Sequence, residues 1–125
     1  MNTDWPSFLR VALGGALGSM LRFGLLRLWP VIPGLSIPVT TFLINIIGCF
    51  GAGFLYSWMP QAWRESGFQL WSIGFLGGFT TFSAFGLENA RLIEENHLSS
   101  FLIYSILSIL LGILSAWLGL KMGRI

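Results

Sequence analysis

Four apolar runs, each close to the length of a membrane-crossing helix, fill most of this 125-residue chain. A helical span needs roughly 20 residues, so there is room for about four of them and little else. The runs cover about 8–29, 38–58, 71–95 and 98–120, separated by short breaks. Pro30 to Pro33 with Gly34 reads as a turn, and Pro60 to Gly67 as a loop carrying Arg64 and Glu65. Pro38 is well placed to open the second helix. The composition closes the alternatives. Charged residues make up 10% of the chain, against about 25% in soluble domains. A small soluble globule must cover a large surface with polar groups, and seven basic and five acidic residues cannot do so. Eleven Phe and six Trp oppose disorder, and a single cysteine excludes a disulfide framework. The expected fold is an all-α integral membrane protein: one domain over residues 1–125, with four transmembrane helices.

Two features of the first run bear on other readings. Asp4, the lone Arg10 before the apolar core and the absence of a small-x-small cleavage site after that core argue against a signal peptide. The net charge of +2 and pI near 9.2 come from a slight excess among few charges. With no basic cluster, nucleic-acid binding is not expected.

Trp5, Trp29, Trp58, Trp71 and Trp117 fall near the expected span ends, where an apolar ring with a water-seeking N–H belongs. Small residues recur four apart: Gly14 and Gly18, Gly48 and Ala52, Gly74 and Gly78. Such pairs let helices approach closely in lipid. Four spans put both termini on one side, which collects Arg10, Arg64, Lys121 and Arg124; the other side collects Arg22, Arg27 and Arg91. Orientation follows the bias in basic residues, and a split of four to three is almost none. The expectation is a chain that inserts both ways round and pairs as an antiparallel homodimer.

Catalysis has little to stand on. His97 is the only histidine and has no nucleophile or metal partner at a recognisable spacing. Cys49 lies among apolar residues and reads as a small hydrophobe. Glu88, with Arg91 three residues on, reads first as a helix-end ion pair and second as a transport acid. The informative segment is Gly74 to Phe85, GFLGGFTTFSAF. Paired glycines followed by two threonines make poor helix, so a break near Gly77–Thr81 is expected. Carbonyls freed there must be satisfied by protein or by a bound hard cation such as Na+. Phe82 and Phe85 share a helical face, and ring edges carry partial positive charge. Two edges could stabilise a small anion without trapping it. Asn45, amid apolar neighbours, is either a donor to such an anion or glue between helices. Thr41, one turn earlier, adds a hydroxyl to that face. Ser105, Ser108 and Ser115 could extend a polar stripe along the fourth span. Arg22 either snorkels or sets up a positive vestibule.

These residues resemble the Fluc (CrcB) fluoride channels over nearly the whole chain. The resemblance rests on Gly14-Gly15 through Arg22, on Thr41 to Asn45 followed by Gly48, and above all on Gly77-Gly78-Phe79-Thr80-Thr81-Phe82-Ser83-Ala84-Phe85 ending in Glu88. It implies a passive fluoride exporter in the bacterial inner membrane. It also implies a dual-topology homodimer with two pores. Phe82, Phe85, Ser83, Thr41 and Asn45 would belong to the fluoride pathway, flanked by Tyr104 and Ser108, with Arg22 near a vestibule. A central structural Na+ would be held by backbone carbonyls of Gly77 and Thr80 from both subunits. Three positions depart from the family pattern. Ala84 replaces a frequent Thr, Thr40 a frequent Gly, and Gly112 stands where a hydroxyl is expected one turn after Ser108.

Two rival functions remain. A small dual-topology proton-coupled drug exporter should carry an acid in its first span, and this chain has none there. A non-transporting membrane scaffold would use the glycine pairs, yet would not need a Gly-Gly-Phe-Thr-Thr break beside paired Phe residues.

Overall fold

The computed structural model describes residues 4–28 and 36–125. Trp29 and the expected turn from Pro30 to Gly34 lie outside the described residues. Helix α1 (Trp5–Leu28) starts behind Asp4, whose carboxylate accepts the backbone N–H of Ser7 at 3.0 Å. That is an N-cap, satisfying one of the donors a helix start leaves open. Helix α2 (Val39–Trp58) begins directly after Pro38. The third span is one helical run broken once. It comprises a 3-10 turn (Gln61–Trp63), α3 (Arg64–Gly67), a π-helical segment (Phe68–Leu76), α4 (Gly77–Phe79) and, beyond the break, α5 (Phe82–Glu94). Helix α6 (Leu98–Met122) completes the chain. Four helical runs are long and apolar enough to cross a membrane, and no strand occurs among the described residues. The protein is an all-α, multi-pass membrane protein.

The third run starts earlier than the sequence suggests. Residues 61–67, read as loop, are helical, because Pro60 stops α2 and suits the position before a first turn. The run spans 34 residues, more than the roughly 20 that cross a bilayer. Its leading turns carry Arg64 and Glu65, so helix and membrane do not begin together. Trp71 therefore sits inside the helical run and not at its end, whereas Trp63 occupies the first turn.

The spans pack as two parallel pairs. Helix α1 lies along the third run. A Cβ on Gly14 would strike the Leu70 carbonyl, one on Gly18 the Phe75 carbonyl, and one on Gly78 the Gly15 carbonyl. The spaced glycines thus face one another across a backbone-to-backbone contact. Helix α2 lies along α6, where Gly53 abuts the Ala116 carbonyl and Gly119 the Phe50 carbonyl. The two pairs meet where α2 runs antiparallel to the third span: Asn45 bonds Thr81, Gly48 touches Thr80, and Gly51 faces Leu76. The turn into α6 is set by Asn96, which adopts φ 60°. Asn tolerates this left-handed conformation, and it lets the His97 N–H reach back to the Leu92 carbonyl at 2.8 Å. His97 is exposed in that turn.

Candidate functional site

The break falls at Thr80 and Thr81, both extended, whereas Gly77 and Gly78 remain helical. The expected break is thus narrower and later than the glycine pair suggests. The glycines serve close approach to α1, while the β-branched threonines favour extended backbone. Asn45 holds the broken segment. Its Oδ1 accepts the Thr81 N–H at 2.8 Å, and its Nδ2 donates to the Thr81 carbonyl at 3.0 Å. A single side chain from α2 so replaces two lost ladder bonds. The Thr81 hydroxyl caps α5 by accepting the Ala84 N–H at 3.2 Å, and lies 3.2 Å from the Ser83 hydroxyl.

These diversions release particular carbonyls. In an unbroken helix the Thr81 N–H would go to Gly77 and the Ala84 N–H to Thr80; here they go to Asn45 and to the Thr81 side chain. The Gly78 carbonyl, in contrast, accepts the Arg22 Nε–H at 3.1 Å, with Ser19 Oγ at 3.5 Å. Arg22 is therefore tied to the end of α4, where a cation suits the exposed carbonyls. Gly77 is exposed, with no atom within 4 Å of where a Cβ would stand. Released carbonyls are hard oxygen donors, a type that fits a hard cation such as Na+.

Next to the break is a cavity of about 420 Å³ between α2, the third span and α6. Asn45, Thr80, Phe82, Phe85 and Ser108 all line it, and so does Ser72, which the sequence reading passed over. The spacing of Ser72, Leu76 and Thr80 at intervals of four is the signal that could have found it. Phe82 and Phe85 stand 5.6 Å apart between ring centroids and are tilted by 35°. Phe82 is 83% exposed. Phe85 leans on Tyr104, at 5.1 Å and 55°.

Thr41 and Tyr104 lie beyond Phe85, and their roles in the fold are specific. The Thr41 hydroxyl donates to Glu88 Oε1 at 2.6 Å, and the Tyr104 hydroxyl to Glu88 Oε2 at 2.8 Å. Thr41 and Tyr104 are both almost wholly buried. Glu88 is thus anchored by hydroxyls of α2 and α6, and among the described residues it forms no ion pair with Arg91. The ion pair expected from the three-residue spacing is corrected: long-range packing supplies better-placed donors than the neighbouring turn. Ser105 donates to Asn89 at 3.0 Å and Ser115 to the Ile46 carbonyl at 2.9 Å. These two serines join helices and stay off the cavity. Ser83 is exposed at the start of α5. No group of three metal-ligating side chains occurs among the described residues.

Comparison with known proteins bears on the whole chain. A family model described as CrcB-like protein, Camphor Resistance (CrcB), matches residues 9–120. The chain is 39% identical over 118 residues to a protein of Bacillus cereus named Fluoride-specific ion channel FluC 2, covering 94% of this chain and 97% of that one. It is 39% identical over 121 residues to Fluoride-specific ion channel FluC of Coxiella burnetii, covering 93% and 96%. It is 36% identical over 123 residues to Fluoride-specific ion channel FluC 2 of Nocardia farcinica, covering 97% and 87%.

Proposed function

The chain belongs to the CrcB-like family of membrane proteins, and from that membership we propose that it is a passive, fluoride-selective channel that releases cytoplasmic fluoride across the bacterial inner membrane. It is not an enzyme: the curated relatives bear the names of ion channels. The observation that carries the reading is the meeting of Asn45, Phe82, Phe85 and Ser108 on one cavity. Fluoride is small and strongly hydrated, so a pore must offer donors in place of the water it strips. Asn45 spends one N–H on the Thr81 carbonyl and has a second. The two rings offer edges. None of these groups carries a full charge, so the anion is held without being trapped. An interior negative by 100 mV drives a monovalent anion outward by roughly 2.3 kcal/mol, and no other energy source is required.

The working unit we propose is an antiparallel homodimer with two pores. The even division of basic residues between the two sides supports insertion in both orientations. The largely uncovered Phe82 ring at the cavity supports a wall completed by the second copy. Twofold symmetry then yields two equivalent pathways. The released carbonyls of Gly77 and Thr80 from both subunits would hold a structural Na+. When bound, that ion supplies fixed positive charge beside the break.

Purified protein in liposomes, read with a fluoride electrode, tests the proposal. The wild type should release fluoride once a potassium ionophore carries compensating charge out of the liposomes and collapses the opposing potential. Replacing both rings, Phe82→Ile with Phe85→Ile, should abolish efflux while the dimer persists on size exclusion. Unchanged efflux would remove the rings from the pathway.

A further inference from the structure

A second concavity, of about 560 Å³, lies where α2 ends and the third run begins, and it shares no lining residue with the cavity beside the break. Its walls are Trp58 from α2 and Trp63 and Trp71 from the third run. All three are exposed, whereas Met59 and Gly67, which also line it, are buried. A Cβ on Gly67 would meet the Met59 sulfur at 2.8 Å, so the two are packed tightly together. An interfacial belt spreads tryptophans around a protein. Here three of the chain's six converge on one groove.

A neighbouring cavity of about 450 Å³ shares Leu55 and Met59 with this groove and adds Gln61, Arg64 and Glu65. Arg64 and Glu65 are exposed. Hydrocarbon excludes such charges, so they mark the level of the lipid headgroups. Trp71 lies seven residues further along the same helical run, roughly 10 Å at the helical rise, and thus within the hydrocarbon. The apolar groove therefore descends into the bilayer from a pair of opposite charges.

That is the plan of a phospholipid, with an acyl chain below and a headgroup above. Apolar contact alone would not retain one, because a chain leaving the groove finds equally apolar neighbours. Selection has to come from the headgroup. A guanidinium suits a phosphate, and a carboxylate accepts hydrogen bonds from an ammonium. Arg64 and Glu65 together sum to zero charge, which favours a zwitterionic headgroup over an anionic one. We propose that this groove seats one phosphatidylethanolamine per chain, with an acyl chain against the three tryptophans and the headgroup at Arg64 and Glu65. The proposal needs only that the chain spans a membrane, and it is independent of the permeating ion.

Native mass spectrometry tests it on the full chain, purified in detergent and given equal amounts of phosphatidylethanolamine and phosphatidylglycerol. The wild type should keep one phosphatidylethanolamine per chain, favoured over phosphatidylglycerol by about three-fold, the scale of one exposed ion pair. Arg64→Gln and Trp63→Ala should each lower that retention by about three-fold or more. Both side chains are exposed, so thermal midpoints should stay at the wild-type value. Trp117→Ala, at an exposed position on α6 outside both cavities, should retain lipid as the wild type does. Equal retention of the two lipids would overturn the proposal. So would an equal loss in Trp117→Ala, or a wild type that keeps no lipid, as when a second copy covers the groove.

Discussion

Asn45 carries two loads at once. Its amide completes the backbone at Thr81 in both directions, and the same side chain lines the cavity. Anion donor and helix glue, alternatives at the level of sequence, are compatible because an amide has more hydrogen-bonding positions than the break consumes. Asn45→Ala leaves two backbone groups unpaired and should destabilise the protein by about 2–5 kcal/mol, measured as a lower thermal midpoint in detergent. Glu88 shows the limit of local spacing. Arg91, three residues away, was the obvious partner, yet the carboxylate is held by Thr41 and Tyr104, 47 and 16 residues distant. Tyr104→Phe removes one hydrogen bond to a charged group and should cost about 1.5–3 kcal/mol, read from the same melting curve.

Within single elements the glycine pattern was legible in part. The pairs at Gly14 and Gly18 and at Gly74 and Gly78 announced tight packing, and the structure sets them against each other. The sequence could not say which pairs meet, and it did not single out Gly53 or Gly119. Contrast within α1 provides a test. A Cβ on Gly18 meets a backbone carbonyl, whereas one on Gly24 meets nothing within 4 Å. Gly18→Ala should destabilise by about 1–3 kcal/mol through overpacking. Gly24→Ala should be neutral or gain up to about 1 kcal/mol from helix propensity. Equal melting shifts would refute the backbone contact. The start of α1 is pH-sensitive in a defined direction. Bonds from Ser7, first its hydroxyl and then its backbone N–H, hold the Asp4 carboxyl below its usual value of 3.8. A depressed value means the cap stabilises above pH 3.8 and is lost as pH falls through the lower folded value. Hydrogen exchange at Ser7 should therefore lose protection in acid, and Asp4→Asn should flatten that dependence.

At the scale of the whole molecule, the uncovered Phe82 ring and the balanced basic residues bear on the proposed antiparallel homodimer. A tag at the C-terminus should be reached from both sides of the membrane in roughly equal amounts. Labelling from one side alone would refute dual insertion. Occupation of the Gly77 and Thr80 carbonyls by Na+ should raise the thermal midpoint in sodium relative to N-methylglucamine buffers. Any ligand that binds only the folded state stabilises it, by about 2.7 kcal/mol at a hundred-fold excess over Kd.

Chemistry carried by residue type and short spacing was readable before any coordinates: four spans, a break before Phe82, the ring pair, and an amide in hydrocarbon with need of partners. Each follows from bilayer thickness, helical period or the cost of unpaired polar atoms in lipid, none of which depends on distant contacts. Tertiary structure alone decided where helix α4 ends, which carbonyls are released, what holds Glu88 and which serines line the cavity. Ser72 and Ser108 belong to its lining, with buried and unpaired hydroxyls, while Ser105 and Ser115 are bonded to other helices. Those four serines differ little in local sequence. What separates them is the rotation and depth of neighbouring helices, set by packing between segments far apart in the chain.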